Sequence, residues 1–188
     1  VVSIEPEFSI TVQADDNLMQ YLETVVEEDI LRIRTMEEVD LAPTTAPVYR
    51  IGLPEVTEVE LSGVGQIDVE AVETGLLNLT LTGVGDIVLG SVDVDLLLYD
   101  LSGVGSVSIE GSADEQRGVV AGQGRYDAAD LETRVAMLQA SGSGHATVGV
   151  IEDLDLDLAD NATVEYYGAP VVSQSMAGQA SVTAVGPK

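Results

Sequence analysis

The sequence predicts an all-β chain, a right-handed parallel β-solenoid of about seven coils with an N-terminal β-rich cap, and three observations carry that prediction. A phrase recurs: Leu61-Ser-Gly-Val-Gly-Gln-Ile67, Leu81-Thr-Gly-Val-Gly-Asp-Ile87 and Leu101-Ser-Gly-Val-Gly-Ser-Val107 start 20 residues apart. Repetition at a short fixed period marks a solenoid, because one unit can bury its apolar side only against its neighbours. Looser copies starting at Val120, Ala140, Leu158 and Met176 bring the count to seven. Around the phrase the residues alternate. Ile67, Ile87, Val107, Tyr126, Ala146, Val164 and Val182 form an apolar column, and Gln66, Asp86, Ser106, Arg125, His145, Thr163 and Ser181 a polar one. Period-two alternation on both sides of the glycines means two strands per unit, each with one face inward.

The third observation is the glycine pair itself. Gly63, Gly83, Gly103, Gly122, Gly142 and Gly178 share one column, and Gly65, Gly85, Gly105, Gly124 and Gly144 share another. These are the expected structural corners, positions suited to φ > 0 or to close backbone approach. Asp160-Asn161 replaces the pair in one coil, and these residue types tolerate the left-handed region best after glycine. A second punctuation at Thr74-Gly75, Gly90, Gly111, Glu152-Asp153 and Gly168-Ala-Pro170 closes each unit. The right hand follows from the strong handedness of parallel crossovers. At about 4.8 Å per rung, the stack runs to roughly 34 Å.

Ahead of the repeats, Phe8-Ser-Ile-Thr-Val12 alternates like a strand. Asp15-Asp16-Asn17 is a turn and N-cap, and Leu18, Tyr21, Leu22 and Val25 recur at helical spacing, predicting a short helix. Strands follow at Glu23–Glu27 and Ile30–Thr35 with Glu28-Asp29 between them. Glu37 to Pro47 is a connecting loop, and Val48–Leu53 a strand halted by Pro54. Residues 1–55 thus read as a β cap and connecting loop packed on the solenoid, and 56–188 as the solenoid, in one continuous domain.

Composition bounds the rest. The 188 residues include no cysteine, which removes disulfides and thiolate metal sites. With aromatic content at 4%, no Trp and one Phe, ladders of Val, Leu and Ile must carry the burial. The 33 carboxylates against seven Lys and Arg leave a formal charge of −26, which repels nucleic acid and anionic membranes; it reads first as solubility, with an acidic face for divalent cations or adaptation to a salty exterior as the sharper alternatives. No run of 18 apolar residues occurs, so no transmembrane segment is expected. The chain opens in strand-like sequence without a methionine, which predicts removal of a leader and a secreted, periplasmic or outer-surface location.

The phrases Leu61-Ser-Gly-Val-Gly, Leu101-Ser-Gly-Val-Gly and Ala140-Ser-Gly-Ser-Gly resemble the bacterial putative auto-transporter adhesin family, head GIN domain. So do Ile51-Gly-Leu-Pro54 and the ending from Tyr166-Tyr-Gly-Ala-Pro170 through Ser173-Gln-Ser-Met-Ala-Gly178. Phe8-Ser-Ile-Thr-Val12 and Leu31-Arg-Ile33 fit its opening strands. The resemblance implies a secreted or envelope-attached β-solenoid, with adhesion as the proposed role and no catalytic motif. Asp160-Asn-Ala162 and Gly178-Gln-Ala180 depart from the family's usual Gly-Ser-Gly.

No residue constellation points to catalysis or a cofactor. His145 is the single histidine and falls in a polar column, so it reads as a surface ladder residue. Asp153, Asp155 and Asp157 alternate with leucines on one strand face and are candidate cation ligands, although residues two apart on a strand stand about 7 Å from one another. The favoured reading is a non-catalytic interaction module contacting protein or glycan, and the alternative a polysaccharide-binding or polysaccharide-cleaving protein. The alternative calls for Arg or Lys beside carboxylates on one sheet, but Arg117, Arg125 and Arg134 fall in different columns. One further column breaks the alternation. Val56, Leu76, Leu96, Glu115, Val135, Asp153 and Val171 align in the outward phase, next to Leu98 and Met137. Leu76, Leu96, Leu98, Val135 and Met137 therefore either turn inward at a corner or form a contact stripe. Such a stripe would be covered by the N-terminal segment around Phe8 and Ile10 or by a second copy in a homo-oligomer.

Overall fold

The structure, a computed structural model, describes residues 1–36 and 45–188. Its main body is a stack of parallel coils. Seven rungs precede the glycine corner: β6 (Glu58–Leu61), β8 (Val72–Leu81), the second halves of β9 (Val84–Leu101), β10 (Val104–Val120), β11 (Gln123–Ala140) and β12 (His145–Leu158), and β14 (Val171–Met176). Seven more follow it: β7 (Val64–Val69), the first halves of β9 to β12, β13 (Thr163–Tyr167) and β15 (Ser181–Gly186). The stack makes about 6 turns.

The backbone register reproduces the columns read from the sequence. Leu61 pairs with Leu81, Leu81 with Leu101, Leu101 with Val120, Val120 with Ala140, Ala140 with Leu158 and Leu158 with Met176. After the corner, Ile67, Ile87, Val107, Tyr126, Ala146, Val164 and Val182 pair in the same way. The expectation of two strands per coil needs correction in the middle of the stack. There, β9, β10 and β11 run unbroken for 17 or 18 residues between corners. The second punctuation is a set of bulges in these strands, with register shifts at Ile109/Gly111, Ala128/Glu132 and Thr133/Val135. A bulge bends a strand without ending its ladder, and Gly111 there adopts φ 130°.

Two kinds of corner share the glycine columns. In the early coils the corner bonds run to the coil below: Gly83 N–H donates to Leu61 O, and Gly103 N–H to Leu81 O. A Cβ on Gly103 would overlap the carbonyl oxygen of Gly83, while its φ lies outside the left-handed range. Glycine is needed there for close approach, and the left-handed demand falls on Gly85 and Gly105, at φ 147° and 145°. In the later coils the first column takes the left-handed conformation, at Gly122 (φ 67°), Gly142 (69°), Asp160 (58°) and Gly178 (76°). Each of the first three of these turns closes on itself, Gly124, Gly144 and Ala162 N–H donating three residues back at 3.2 Å. Asp160 thus does what glycine does elsewhere, and its carboxylate accepts from Gly142 N–H at 3.1 Å. Gly63 and Gly65 differ again: nothing lies within 4 Å of a Cβ built on either, because no coil sits beneath that corner.

Inside, the aliphatic ladders are closed to solvent, with Leu77, Leu81, Leu97, Leu101 and Val120 all at 0% exposure. Burying such a side chain is worth about 1.5–3 kcal/mol. One polar group interrupts them. The rings of Tyr99 and Tyr126 stack at 4.2 Å, the Tyr99 ring filling the space that a side chain at Gly118 would need. Tyr126 Oη donates to Gln116 Oε1 at 2.9 Å, and Gln116 Nε2 donates to Thr133 Oγ1 at 2.8 Å. Tyr99 Oη is buried without a partner among the described residues, a cost of about 1–3 kcal/mol.

The N-terminal third closes one sheet of the stack. β1 (Val2–Ile4) pairs with β7 through Val2 and Val69, β5 (Val48–Leu53) pairs parallel to β1, and β2 (Ser9–Gln13) lies antiparallel outside β5. The predicted helix near Leu18 is only a 3₁₀ turn, Met19–Tyr21. Leu22 and Val25 belong instead to β3 (Leu22–Glu27), which forms a hairpin with β4 (Ile30–Thr35) through left-handed Glu28 and Asp29. Val25 and Val26 are β-branched and favour a strand, and the pairing outweighs four apolar residues at helical spacing. Most of the expected loop, with Pro43, lies outside the described residues.

Two outcomes are expected. Gly103→Ala should cost about 1–3 kcal/mol by overpacking, while Gly63→Ala stays within about 0.5 kcal/mol of wild type, both read by denaturant unfolding. Equal effects would mean that coil-to-coil contact is not what the corner glycines serve. Burial also raises the phenol pKa of Tyr99, and that of Tyr126 through burial and then the Tyr99 charge, above the ordinary 10.0. Because both folded values exceed the unfolded one, the associated stability is complete below pH 10 and is lost as pH climbs toward the folded values. Alkaline unfolding should therefore coincide with the last phenol ionisations in an ultraviolet titration. Ionisation of all six tyrosines with the fold intact would contradict this.

Candidate contact face

The outward side of the sheet ahead of the glycine corner gathers most of the residues that the sequence singles out. Leu76 pairs with Leu96, Leu96 with Glu115, Glu115 with Val135, Val135 with Asp153 and Asp153 with Val171. Beside this ladder runs Asn78, Leu98, Arg117, Met137, Asp155 and Ser173. The alternation holds through the bulge, because Leu77, Leu97, Gln116, Ala136 and Leu154 between them are buried. The contact stripe is therefore on the surface rather than turned inward: Leu76 is 41% and Met137 42% exposed, with Leu96, Leu98 and Val135 half-buried. Val56 is the exception, buried ahead of the first paired rung.

The expected cover is elsewhere. Ile10 of β2 pairs with Ile51 of β5, at the far end of the other sheet, and Phe8 is itself 49% exposed. The N-terminal segment closes a sheet end instead of the stripe, because β1 and β5 continue the ladder of β7. Asn78, Leu98, Arg117, Met137, Gln139 and Asp155 are among the residues that line an open depression of about 780 Å³.

Within the stripe lies a feature that the column reading did not anticipate. Arg117 Nε sits 2.5 Å from Glu115 Oε1, and the pair lies between Leu96 and Leu98 on one side and Val135 and Met137 on the other. The hydrogen bond to Glu115, then its charge, pushes the guanidinium pKa above its ordinary value. The signal was available, since both residues occupy outward positions of neighbouring columns.

Asp153, Asp155 and Asp157 stand outward on β12, each exposed, on the rung next to Val135, Met137 and Gln139. Among the described residues, no three His, Cys, Asp or Glu side chains are grouped to hold a metal ion. His145 lies after the corner, half-buried, with Nε2 3.5 Å from Thr147 Oγ1. The three arginines occupy three different stretches of the coil. Arg125 Nη2 lies 3.8 Å from Asp127, and Arg134 Nη1 3.1 Å from Glu152. No helix among the described residues is long and apolar enough to cross a membrane.

The family profile described as Putative auto-transporter adhesin, head GIN domain, matches residues 1–170. A crystal structure described as a putative adhesin from Bacteroides fragilis NCTC 9343 is similar with a TM-score of 0.89 at 20% identity, over 98% of this chain and 86% of that one. One described as a putative lipid binding protein from Parabacteroides distasonis ATCC 8503 reaches 0.79 at 24% identity, over 98% and 87%. A third, a putative adhesin from Parabacteroides merdae ATCC 43184, gives 0.75 at 16%, over 98% and 86%. At these identities the likeness is one of fold. No curated protein matches the chain.

The charge distribution makes a prediction. The 33 carboxylates against seven Lys and Arg leave a formal charge of −26, so screening, with a Debye length of about 10 Å at 0.1 M, should raise the melting temperature as sodium chloride increases. Calcium at matched ionic strength should add nothing further. An excess calcium effect, lost in Asp155→Asn, would instead identify the β12 carboxylates as a cation site.

Proposed function

We propose, from the premise that the chain belongs to the family Putative auto-transporter adhesin, head GIN domain, that it is a non-catalytic contact module of the cell surface or envelope. The observation that carries this reading is the stripe of Leu76, Leu96, Leu98, Val135 and Met137. Five apolar side chains stand outward on neighbouring rungs of one hydrogen-bonded sheet, around a single ion pair. An apolar patch held on a rigid ladder is a contact surface that needs no reorganisation to bind. The fold likeness to proteins described as putative adhesins supports the same reading.

A protein partner fits this face better than a glycan. Its two outward ladders carry aliphatic, polar and charged side chains but no aromatic ring against which a sugar could stack. The depression is open, unlike the enclosed apolar pockets that hold small ligands. That weighs against extending to this chain the lipid binding by which one of the similar structures is described. Arg117 stands with the Glu115, Asp153 and Asp155 carboxylates on this face, but it is held by Glu115, and the depression is open rather than a cleft with an acid and a base facing each other, which weighs against the polysaccharide-cleaving alternative.

Leu98→Asp with Met137→Asp tests this reading. Both side chains are outward, so the variant should melt close to wild type while its retention on intact bacterial cells and on arrayed surface proteins falls at least about tenfold. Unchanged retention would move the contact elsewhere. A glycan panel scored for retention and cleavage, with flotation on neutral phospholipid vesicles, covers the other ligand classes, and any cleavage product would refute the non-catalytic assignment.

A further inference from the structure

The contact face carries its charge in a definite arrangement. Leu96 and Leu98 on β9 and Val135 and Met137 on β11 form two apolar pairs, and the rung between them holds Glu115 and Arg117. Exposed carboxylates border these pairs. Asp100 stands two residues beyond Leu98 on the same strand, and Asp153, Asp155 and Asp157 occupy the rung next to Val135 and Met137. Arg117 is the one cation on these outward ladders, and Glu115 holds it. The apolar centre therefore sits inside a net negative rim. The backbone is closed to a partner as well, because β9, β10, β11 and β12 are each paired on both sides through this stretch.

Granted the reading of the stripe as the contact surface, we infer that its occupant is a cationic amphipathic helix of another protein. A segment laid on a sheet face gains no backbone hydrogen bonds from the sheet, so it must satisfy its own, and a helix does so internally. The dimensions agree. The Leu96–Leu98 and Val135–Met137 pairs lie two rungs apart, about 9.6 Å at strand spacing, and helix residues i and i+7 lie about 10.5 Å apart along the axis. A helix with its axis along the stack thus sets two apolar residues on the two pairs. The residue between them, at i+3 or i+4, meets Glu115 and Arg117 and is polar. One turn past the second apolar contact, Lys or Arg reaches Asp153 and Asp155, and the same residue types on the flank reach Asp100 and Asp157. From Asn78 to Asp155 the depression crosses four rung intervals, about 19 Å, the length of about 13 helical residues. A second copy of the chain would bring its own carboxylates against these, whereas a cationic segment is complementary to them.

The test measures fluorescence anisotropy of three labelled, helix-forming peptides of about 14 residues. One carries leucines at the apolar positions and lysines on the flanks, one has the lysines replaced by glutamate, and one has the first peptide's residues in an order that destroys the stripe. The lysine peptide should bind, more weakly as sodium chloride rises, and each of the others at least about tenfold less tightly. Asp155→Asn with Asp157→Asn should melt at or above wild type yet lose at least about tenfold in affinity for the lysine peptide. No binding of the lysine peptide, equal binding of the glutamate or the reordered peptide, or undiminished binding by the Asn variant would each overturn the inference. So would binding by residues 1–188 that is absent from the whole gene product, because adjoining sequence would then occupy the face. Cell retention of the Leu98→Asp, Met137→Asp variant separates the two levels. If retention falls while the lysine peptide shows no preference, the face stands and the partner chemistry is wrong; unchanged retention removes both.

Discussion

The coil-to-coil hydrogen-bond ladder is the constraint from which the rest of this structure follows. Once Leu61, Leu81, Leu101, Val120, Ala140, Leu158 and Met176 are stacked by parallel pairing, every other position of a coil lies above its counterpart. Inside and outside are then decided by parity alone. Side-chain volume can be exchanged only with the adjacent rung. Tyr99 is accommodated because its neighbour in the next coil is Gly118, and Tyr126 is followed by Ala146.

The same ladder explains why one glycine motif serves two purposes. Coils stacked at strand spacing bring their corners into near contact, so a corner either accepts a carbonyl of the coil below at Cβ distance, as at Gly83 and Gly103, or turns tightly through a left-handed residue, as at Gly122, Gly142 and Gly178. The second solution depends on φ rather than on space, and it admits Asp160. The departures from Gly-Ser-Gly in the last two coils are consequently substitutions within a preserved corner: Asp160 and Gly178 keep the left-handed residue, with Ala162 and Ala180 two places on.

A solenoid also fixes what its surface can do. Outward residues form straight ladders, so whatever the surface meets is met by neighbouring columns. Leu76, Leu96, Leu98, Val135 and Met137, the Glu115–Arg117 pair and the three β12 carboxylates share one face because their columns lie two residues apart on paired rungs. The stripe and the carboxylates were each legible separately. That they adjoin, and that an ion pair stands inside the stripe, required the register and the side-chain positions.

The sequence by itself determined the repeat, its register, the inward and outward columns and the glycine corners, because parallel stacking writes each contact into residues about 20 apart. It also determined the hairpin strands at Glu23–Glu27 and Ile30–Thr35. It could not determine whether the chain breaks or merely bends at its second punctuation, because a bulge and a turn use the same Gly and Asp signals. It misjudged Leu18–Val25, where helical spacing competed with strand pairing to a segment further along the chain. Where the N-terminal segment lies, and so whether the stripe is covered, only the tertiary structure decided. The ladder of β7 offers β1, and β1 in turn offers β5, a row of backbone bonds, and that row, a property of the assembled sheet rather than of any local pattern, draws the strands to the sheet end and away from the stripe.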